Sequence, residues 1–265
     1  MMLVLTGEFS VFWCKMEPQA DRFNLMDQIR KFYERIGKRP EDGDILVLSG
    51  KYVAMSEGRR YPIGRVNPMK DAERLAELNG GNPRLAEIVI RESESVYSSF
   101  QGIFMGESKG LLQPNAGIDK SNVQDGYFIL YPEDPDASAL SVRLGLLTDF
   151  DVNVGVVISD SRIYPARKGT VGIAIGYSGI KAILDERGKG DIFGKPLKVT
   201  RRAIADQLAT VAQLAMGESS ESVPIVLIRG LQGLVCKKDI RVNLSVKFSE
   251  DIYYNAIKSI LSKAK

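Results

Sequence analysis

Val152-Asn153-Val154-Gly155-Val156-Val157-Ile158-Ser159 is the strongest strand signal in the chain, and Asp160-Ser161-Arg162 follows it directly. β-Branched residues at this density favour a pleated, buried conformation. Ile45-Leu46-Val47-Leu48-Ser49 has the same character and follows the turn Pro40-Glu41-Asp42-Gly43-Asp44. A strand that is apolar on both faces is usually buried on both.

Working outward, residues 2–6, 9–14, 96–113, Tyr127–Tyr131, Thr170–Ile175 and Ile225–Ile228 also read as strands. Leu25, Met26, Ile29, Phe32, Tyr33 and Ile36 fall at helical spacing, and the pattern stops at Gly37. Residues 69–79 and 83–95 read as two more helices, the second with Asn82 as cap and Pro83 in its first turn. Asp134-Pro135-Asp136 starts a helix carrying Leu140, Leu144 and Leu147 on one side. Thr200–Met216 is helical, and a last helix is expected to turn Ile252, Tyr253, Ala256, Ile257, Ile260 and Leu261 inward. Gly176, Gly179, Gly188, Gly190 and Gly194 mark a flexible, turn-rich connection. Strands and helices alternate without a strict β-α-β rhythm, and several strands look like hairpin neighbours. The expected fold class is therefore α+β, with mixed, largely antiparallel sheets and flanking helices. Residues 1–265 are expected to form a single unit, or two intimately packed subdomains.

The chain has no histidine, which rules out a His triad, a His proton shuttle and His-ligated zinc within it. Its chemistry must run on carboxylates, hydroxyls, amides and cations. The net charge of +3 is spread along the chain rather than clustered with aromatics, so anionic small molecules fit better than nucleic acid. No run is long and apolar enough for a membrane span, and the first residues lack a basic leader, so a cytoplasmic location is expected. Cys14 and Cys236 lie far apart and are expected to be free, buried thiols.

Asn115-Ala116-Gly117-Ile118-Asp119-Lys120-Ser121-Asn122 joins a small-residue turn to a carboxylate and then to an amide. Read alone, it is most simply a polar surface turn. Asp119, Asp160 and Glu218 all stand where strands or helices meet loops, and three solvated acids would satisfy the pattern equally. If the fold gathers them, each like-charge pair at about 4 Å costs roughly 4 kcal/mol at an effective dielectric near 20. One or two divalent cations would reverse that cost, and Arg162, Arg167 and Lys168 would be available for phosphate. Gly50-Lys51 after a buried strand suggests a phosphate-facing loop, although the Walker A spacing is missing.

As a set, Asn115–Asn122 (NAGIDKSN), Asp160-Ser161, Gly172–Gly179 (GIAIGYSG), Asp191-Ile192-Phe193-Gly194, Ala205-Asp206, Met216-Gly217-Glu218 and Val226–Leu231 (VLIRGL) resemble the coenzyme F-420:L-glutamate ligase family. The resemblance covers about residues 40–231. It implies a gamma-glutamyl-ligase-like fold in an intertwined homodimer. It also implies a cytoplasmic enzyme that uses GTP to join L-glutamate to a deazaflavin coenzyme precursor through an acyl phosphate. Mg²⁺ or Mn²⁺ at two divalent sites is implied, with K⁺ as a further ion. Asp119 and Asp160 would hold one divalent ion, and Ser161 and Glu218 the second. Lys51, Asn122 and the loop Met216, Gly217, Ser219, Ser220, Glu221, Ser222 and Val223 would touch the nucleotide. No membrane or nucleic-acid partner is implied, and no catalytic residue beyond these ligands is singled out.

The departures from the family pattern are specific. Serine stands at 161 where threonine is usual, and Ile163-Tyr164 replaces Gly-Arg. The lysine expected near the phosphates falls on Met55, leaving Lys51 as the nearest candidate, and the Leu-Pro nucleotide loop is not recognisable around Met16–Gln19. A paralogue acting on another carboxylate–amine pair, or a non-catalytic ligand-binding homologue, stays open as an alternative.

Overall fold

In chain order the elements are β1 (Ser10–Trp13), α1 (Leu25–Arg35), β2 (Ile45–Ser49), α2 (Gly50–Glu57), β3 (Arg60–Pro62), α3 (Lys70–Asn79), α4 (Pro83–Glu92), β4 (Ser95–Phe100), β5 (Ile103–Ser108) and β6 (Leu111–Pro114). They continue with β7 (Tyr127–Ile129), α5 (Pro135–Phe150), β8 (Gly155–Ile163), β9 (Thr170–Ser178), β10 (Ile183–Asp185), β11 (Arg201–Ala203), α6 (Ile204–Met216), β12 (Ile225–Arg229) and α7 (Ile252–Lys263). The computed structural model describes residues 8–247 and 249–263; the strand expected at residues 2–6 lies outside them. The fold is α+β with mixed, mostly antiparallel sheets. One compact unit runs through Ile63 and resumes at Asp119–Val242; the other comprises Gly64–Ile118 and the chain from Asn243.

The first unit is built on a sheet of order β1-β12-β2-β8-β9. β2 and β8 pair in parallel, with Ser49 opposite Ser159, whereas β1–β12, β12–β2 and β8–β9 are antiparallel. Both apolar runs are covered on both faces, as their composition requires. Leu46, Leu48, Val156, Ile158, Ile225 and Leu227 point into a core with Ile29, Phe32 and Tyr33 of α1 and Ala139, Val142 and Leu146 of α5. On the other face lies α6, whose Ile204, Leu208 and Ala212 are buried. Each fully buried aliphatic or aromatic side chain here contributes roughly 1.5–3 kcal/mol.

Caps set two helix starts as the sequence suggests. Asn82 accepts hydrogen bonds from the Arg84 and Leu85 amides at 2.9 and 3.2 Å, and Asp134 from the Ala137 amide at 2.9 Å. Cys14 and Cys236 are free, the second buried and the first half-buried.

Five expectations need correction. Gly50-Lys51 is not a loop: the helix α2 begins at Gly50, so Lys51 lies in its first turn. A Cβ at Gly50 would stand 2.8 Å from Ile175 Cδ1 and 3.3 Å from the Ser159 carbonyl, so glycine lets the helix start directly against β8. The glycine-marked connection is structured by the β10–β11 pair and a Gly190–Pro196 bridge, and β11 occupies the expected start of α6. α5 buries Ala139, Val142, Arg143 and Leu146 and exposes Leu144 and Leu147, because it is apolar nearly all round and periodicity cannot choose its face. On α7, Ile252, Tyr253, Ile257 and Ile260 are exposed rather than turned inward.

The second unit pairs α3 with α4 beside the antiparallel sheet β4-β5-β6. Its buried carboxylate, Glu87, accepts the Met69 amide at 2.8 Å at the start of α3 and pairs with Arg91 at 2.8 Å. The Met69 bond, aided by Arg91 and opposed by burial, holds the Glu87 carboxyl below its ordinary value of 4.5. Its stabilisation is therefore complete above about pH 4.5 and is lost as pH falls through the lower folded value. Glu87→Gln is expected to cost about 1–2 kcal/mol near neutral pH. Urea titrations at about pH 7 and about pH 3 check this; a gap that persists undiminished in acid would contradict an electrostatic origin.

Candidate active site

The parallel β2–β8 pair sends two chain segments out at the same sheet edge. α2 with Lys51 follows β2, while Asp160 and Ser161 occupy the last, less buried part of β8. Carboxyl ends of parallel strands are where open α/β sheets commonly bind ligands. Two loops of the same unit meet this edge. Residues 119–122 are anchored by a two-way backbone bridge between Asp119 and Ile129, with N–O distances of 3.0 and 2.9 Å. The 217–223 loop leaves α6 and leads into β12.

The acids are held by different partners. Asp119 Oδ1 accepts the Ser121 amide at 2.7 Å. Its Oδ2 accepts the Ser121 hydroxyl at 2.9 Å and pairs with Lys51 Nζ at 2.6 Å. Burial raises the Asp119 pKa, but Lys51 and Ser121 outweigh it, and the net shift is downward. Asp160 accepts its own neighbour's amide, Ser161 N, at 2.9 Å. Desolvation, with the charges of Asp119 and Glu218 behind it, pushes Asp160 up to about 6 against the opposing effects of Ser161 N and Lys51. Glu218 Oε1 takes three neutral donors: Ser161 Oγ at 2.8 Å, Thr170 Oγ1 at 2.7 Å and Gln213 Nε2 at 2.6 Å.

Asn122 sits beside the nucleotide-loop candidates, where its side-chain amide donates to the Ser219 carbonyl at 2.6 Å. Ser219 N donates to Glu221 at 2.7 Å, and the Ser222 carbonyl accepts Met16 N at 2.8 Å. The unrecognisable segment around Met16–Gln19 therefore does reach the 217–223 loop. Asn122, Ser222 and Gly217 have positive φ values of 52°, 56° and 66°. Gly217, with ψ −167°, lies in a region essentially restricted to glycine, and a Cβ there would strike the Glu221 carboxylate. Val223 is buried, and Met216 and Ser220 lie on either side of that turn.

Other candidates are elsewhere or differently engaged. Arg167 and Lys168 are exposed in the β8–β9 turn, and the Arg162 charge acts on Asp206. Ser121, Thr170 and Gln213 were missed by sequence reasoning. The Asp119-x-Ser121 spacing is an Asx-turn signature and gives access to the first. Thr170 and Gln213 emerge only from the β8–β9 register and the α6 path. A cavity of about 200 Å³ was also missed; Ala20, Asp21, Arg22, Met55, Gly58, Arg60 and Tyr127 line it. In it the Arg60 guanidinium lies over the Tyr127 ring at 4.1 Å. Asp21 in the same lining stands 3.5 Å from Arg60, so the cavity wall mixes cationic, anionic and aromatic groups.

Among the described residues, no three Asp, Glu or Cys side chains form a ready-made metal cage. The donors instead run as a chain from Asp119 through Asp160 to Ser161 and Glu218. All are hard oxygens, and the excess negative charge falls on Asp160, so the set fits Mg²⁺ or Mn²⁺.

A protein-family model described as F420-0:Gamma-glutamyl ligase matches residues 20–230. The chain belongs to this family. The match begins earlier than residue 40, where the recognisable motifs start, and takes in α1 and the cavity-lining residues 20–22. Proteins named coenzyme F420:L-glutamate ligase are similar to it. That of Methanopyrus kandleri is 40% identical over 193 residues, covering 72% of this chain and 77% of the relative. That of Methanocaldococcus jannaschii is 41% identical over 199 residues, covering 74% and 80%. The Archaeoglobus fulgidus protein is 39% identical over 193 residues, covering 73% and 78%. Among the described residues no helix is long and apolar enough to cross a membrane.

The repulsion at Asp160 yields a stability prediction. Its raised folded pKa means that its favourable contribution exists below its ordinary 3.8 and is lost as pH rises through about 6. Asp160→Asn is therefore expected to stabilise the metal-free protein at about pH 8, on the order of 2 kcal/mol after discounting for partial exposure. Denaturant melts at about pH 5 and about pH 8 measure it; an advantage that does not grow with pH would count against the like-charge picture.

Proposed function

We propose that this protein is a nucleotide-driven ligase forming an amide between L-glutamate and the carboxylate of a deazaflavin coenzyme precursor, with GTP as the co-substrate. The carrying observation is that Asp160, within the family-matched segment, faces the charges of Asp119 and Glu218 from two other loops. Three carboxylates at one sheet edge have little use except to gather cations and, through them, phosphate.

In this reading Asp119 and Asp160 hold one divalent ion, Mg²⁺ or Mn²⁺, and Ser161 and Glu218 a second. The ions supply charge neutralisation and in-line alignment of phosphate and carboxylate when bound. Thr170 and Gln213 fix the Glu218 carboxylate through their hydrogen bonds, so its orientation precedes ligand binding. Asn122 and the strained 216–223 loop present amides and hydroxyls to the nucleotide, with Lys51 available to its phosphates. Arg22, Arg60 and Tyr127, with Asp21 paired to Arg60, line a recess that this reading assigns to a flat anionic group. The precursor carboxylate attacks the γ-phosphorus and GDP leaves, giving an acyl phosphate. The glutamate amine then forms the C–N bond as phosphate departs and its proton passes to water or a nearby carboxylate. No histidine is required. Self-association as a homodimer is part of the reading, supported by the exposed apolar side chains of α7.

A second reading keeps this chemistry on another carboxylate–amine pair. Met55, which stands where the family pattern expects a lysine near the phosphates, favours instead the non-catalytic, ligand-binding homologue.

The test incubates the protein with GTP or ATP, Mn²⁺, L-glutamate and the precursor, and follows mass and nucleoside diphosphate. Glutamyl addition is expected, and Asp160→Asn is expected to abolish it while retaining the native circular dichroism spectrum. No addition with either nucleotide, while a known ligase works alongside, would refute the first reading; nucleotide hydrolysis with a different carboxylate would establish the second.

A further inference from the structure

Lys51 stands in an unusual place for a residue expected at phosphates. Its ammonium lies 2.6 Å from Asp119 Oδ2, 2.9 Å from the Ser121 carbonyl and 3.0 Å from Ser121 Oγ. Carboxylate, carbonyl and hydroxyl oxygens around one positive charge make a set that a metal cation would also accept. All three donors of the ammonium are thereby used. Both oxygens of Asp119 already accept protein donors, whereas among the described residues no ammonium contacts Asp160 or Glu218. The Lys51 and Asp119 side chains retain 25% and 41% of their exposure, so the pair can open into solvent without dismantling the core.

We propose that Lys51 is a displaceable internal cation. It pairs with Asp119 and Ser121 while the site is free of metal, competes with a divalent ion for Asp119, and is released toward the nucleotide's phosphates when the ion arrives. This rests on the metal-dependent reading above and adds to it a coupling: filling the cation position frees the side chain that meets phosphate. The long, flexible lysine stem on the rigid first turn of α2 permits the swing. Lys51 is thus a positioning residue that links the two binding events.

The test measures Mn²⁺ binding to the full chain by calorimetry and electron paramagnetic resonance, without nucleotide. Lys51→Met should bind Mn²⁺ about tenfold more tightly than the unmodified protein, equivalent to about 1.4 kcal/mol. Lys51→Arg, which keeps the charge, should stay close to the unmodified protein. With Mn²⁺ saturating, Lys51→Met should bind GDP more weakly, so the two effects have opposite signs. A residue that merely braced the 119–122 turn would weaken both. Equal or weaker Mn²⁺ binding in Lys51→Met, with Asp160→Asn still abolishing it, would overturn this inference alone. No Mn²⁺ binding to any of these proteins would overturn both it and the metal-dependent reading.

Discussion

The site depends on one constraint, the parallel register of β2 and β8. Ser49 opposite Ser159 places Lys51, in the first turn of the helix that follows β2, and Asp160, the next residue of β8, at the same end of the paired strands. An antiparallel pairing would have sent Lys51 and Asp160 to opposite edges. The parallel pairing is tolerable because both strands are buried on both faces, by α1 and α5 on one side and α6 on the other. Gly50 then admits the helix start against β8 without a gap.

That rigid edge carries a concentration of negative charge that is only partly compensated within the protein, by Lys51 at Asp119. Asp160 is desolvated beside two other acids, and Gly217, Asn122 and Ser222 hold backbone conformations that most residues avoid. Such costs persist only where surrounding structure over-determines them. Here the Asp119–Ile129 bridge, the Asn122–Ser219 bond and the Ser222–Met16 bond do so from three directions.

How much of this was legible in the sequence follows the range of each interaction. The apolar runs at 45–49 and 152–159, the Asn82 and Asp134 caps and the α+β class depend on local composition, and the structure contains them. The face of α5 was misread because its apolar residues occupy more than one stripe, so contacts outside the helix decide which side is buried, whereas α7 leaves residues 252–260 exposed on every side. Lys51 was read as a loop residue because a glycine after a strand usually signals a turn, whereas here it opens a helix. Asp119, Asp160 and Glu218 each stood out at an element end, but their proximity is set by sheet register and loop paths across long sequence separations. Thr170 and Gln213 have no local mark at all, since their role exists only once Glu218 has been brought between them.

Lys51 and Met55 bear on how the chain departs from its family. They are four residues apart on α2, and therefore neighbours on one helical face. Lys51 lies one helical turn, about 5.4 Å, nearer the start of α2 than Met55, and its ammonium meets Asp119 there. The cavity beside Met55 still holds positive charge, because Arg22 and Arg60 line it. Guanidinium groups bind planar anions through a fixed fork, whereas an ammonium acts as a compact, mobile point charge. The two ends of α2 thus differ: guanidinium groups and Asp21 line the cavity near its last turn, and a single ammonium paired with Asp119 stands in its first.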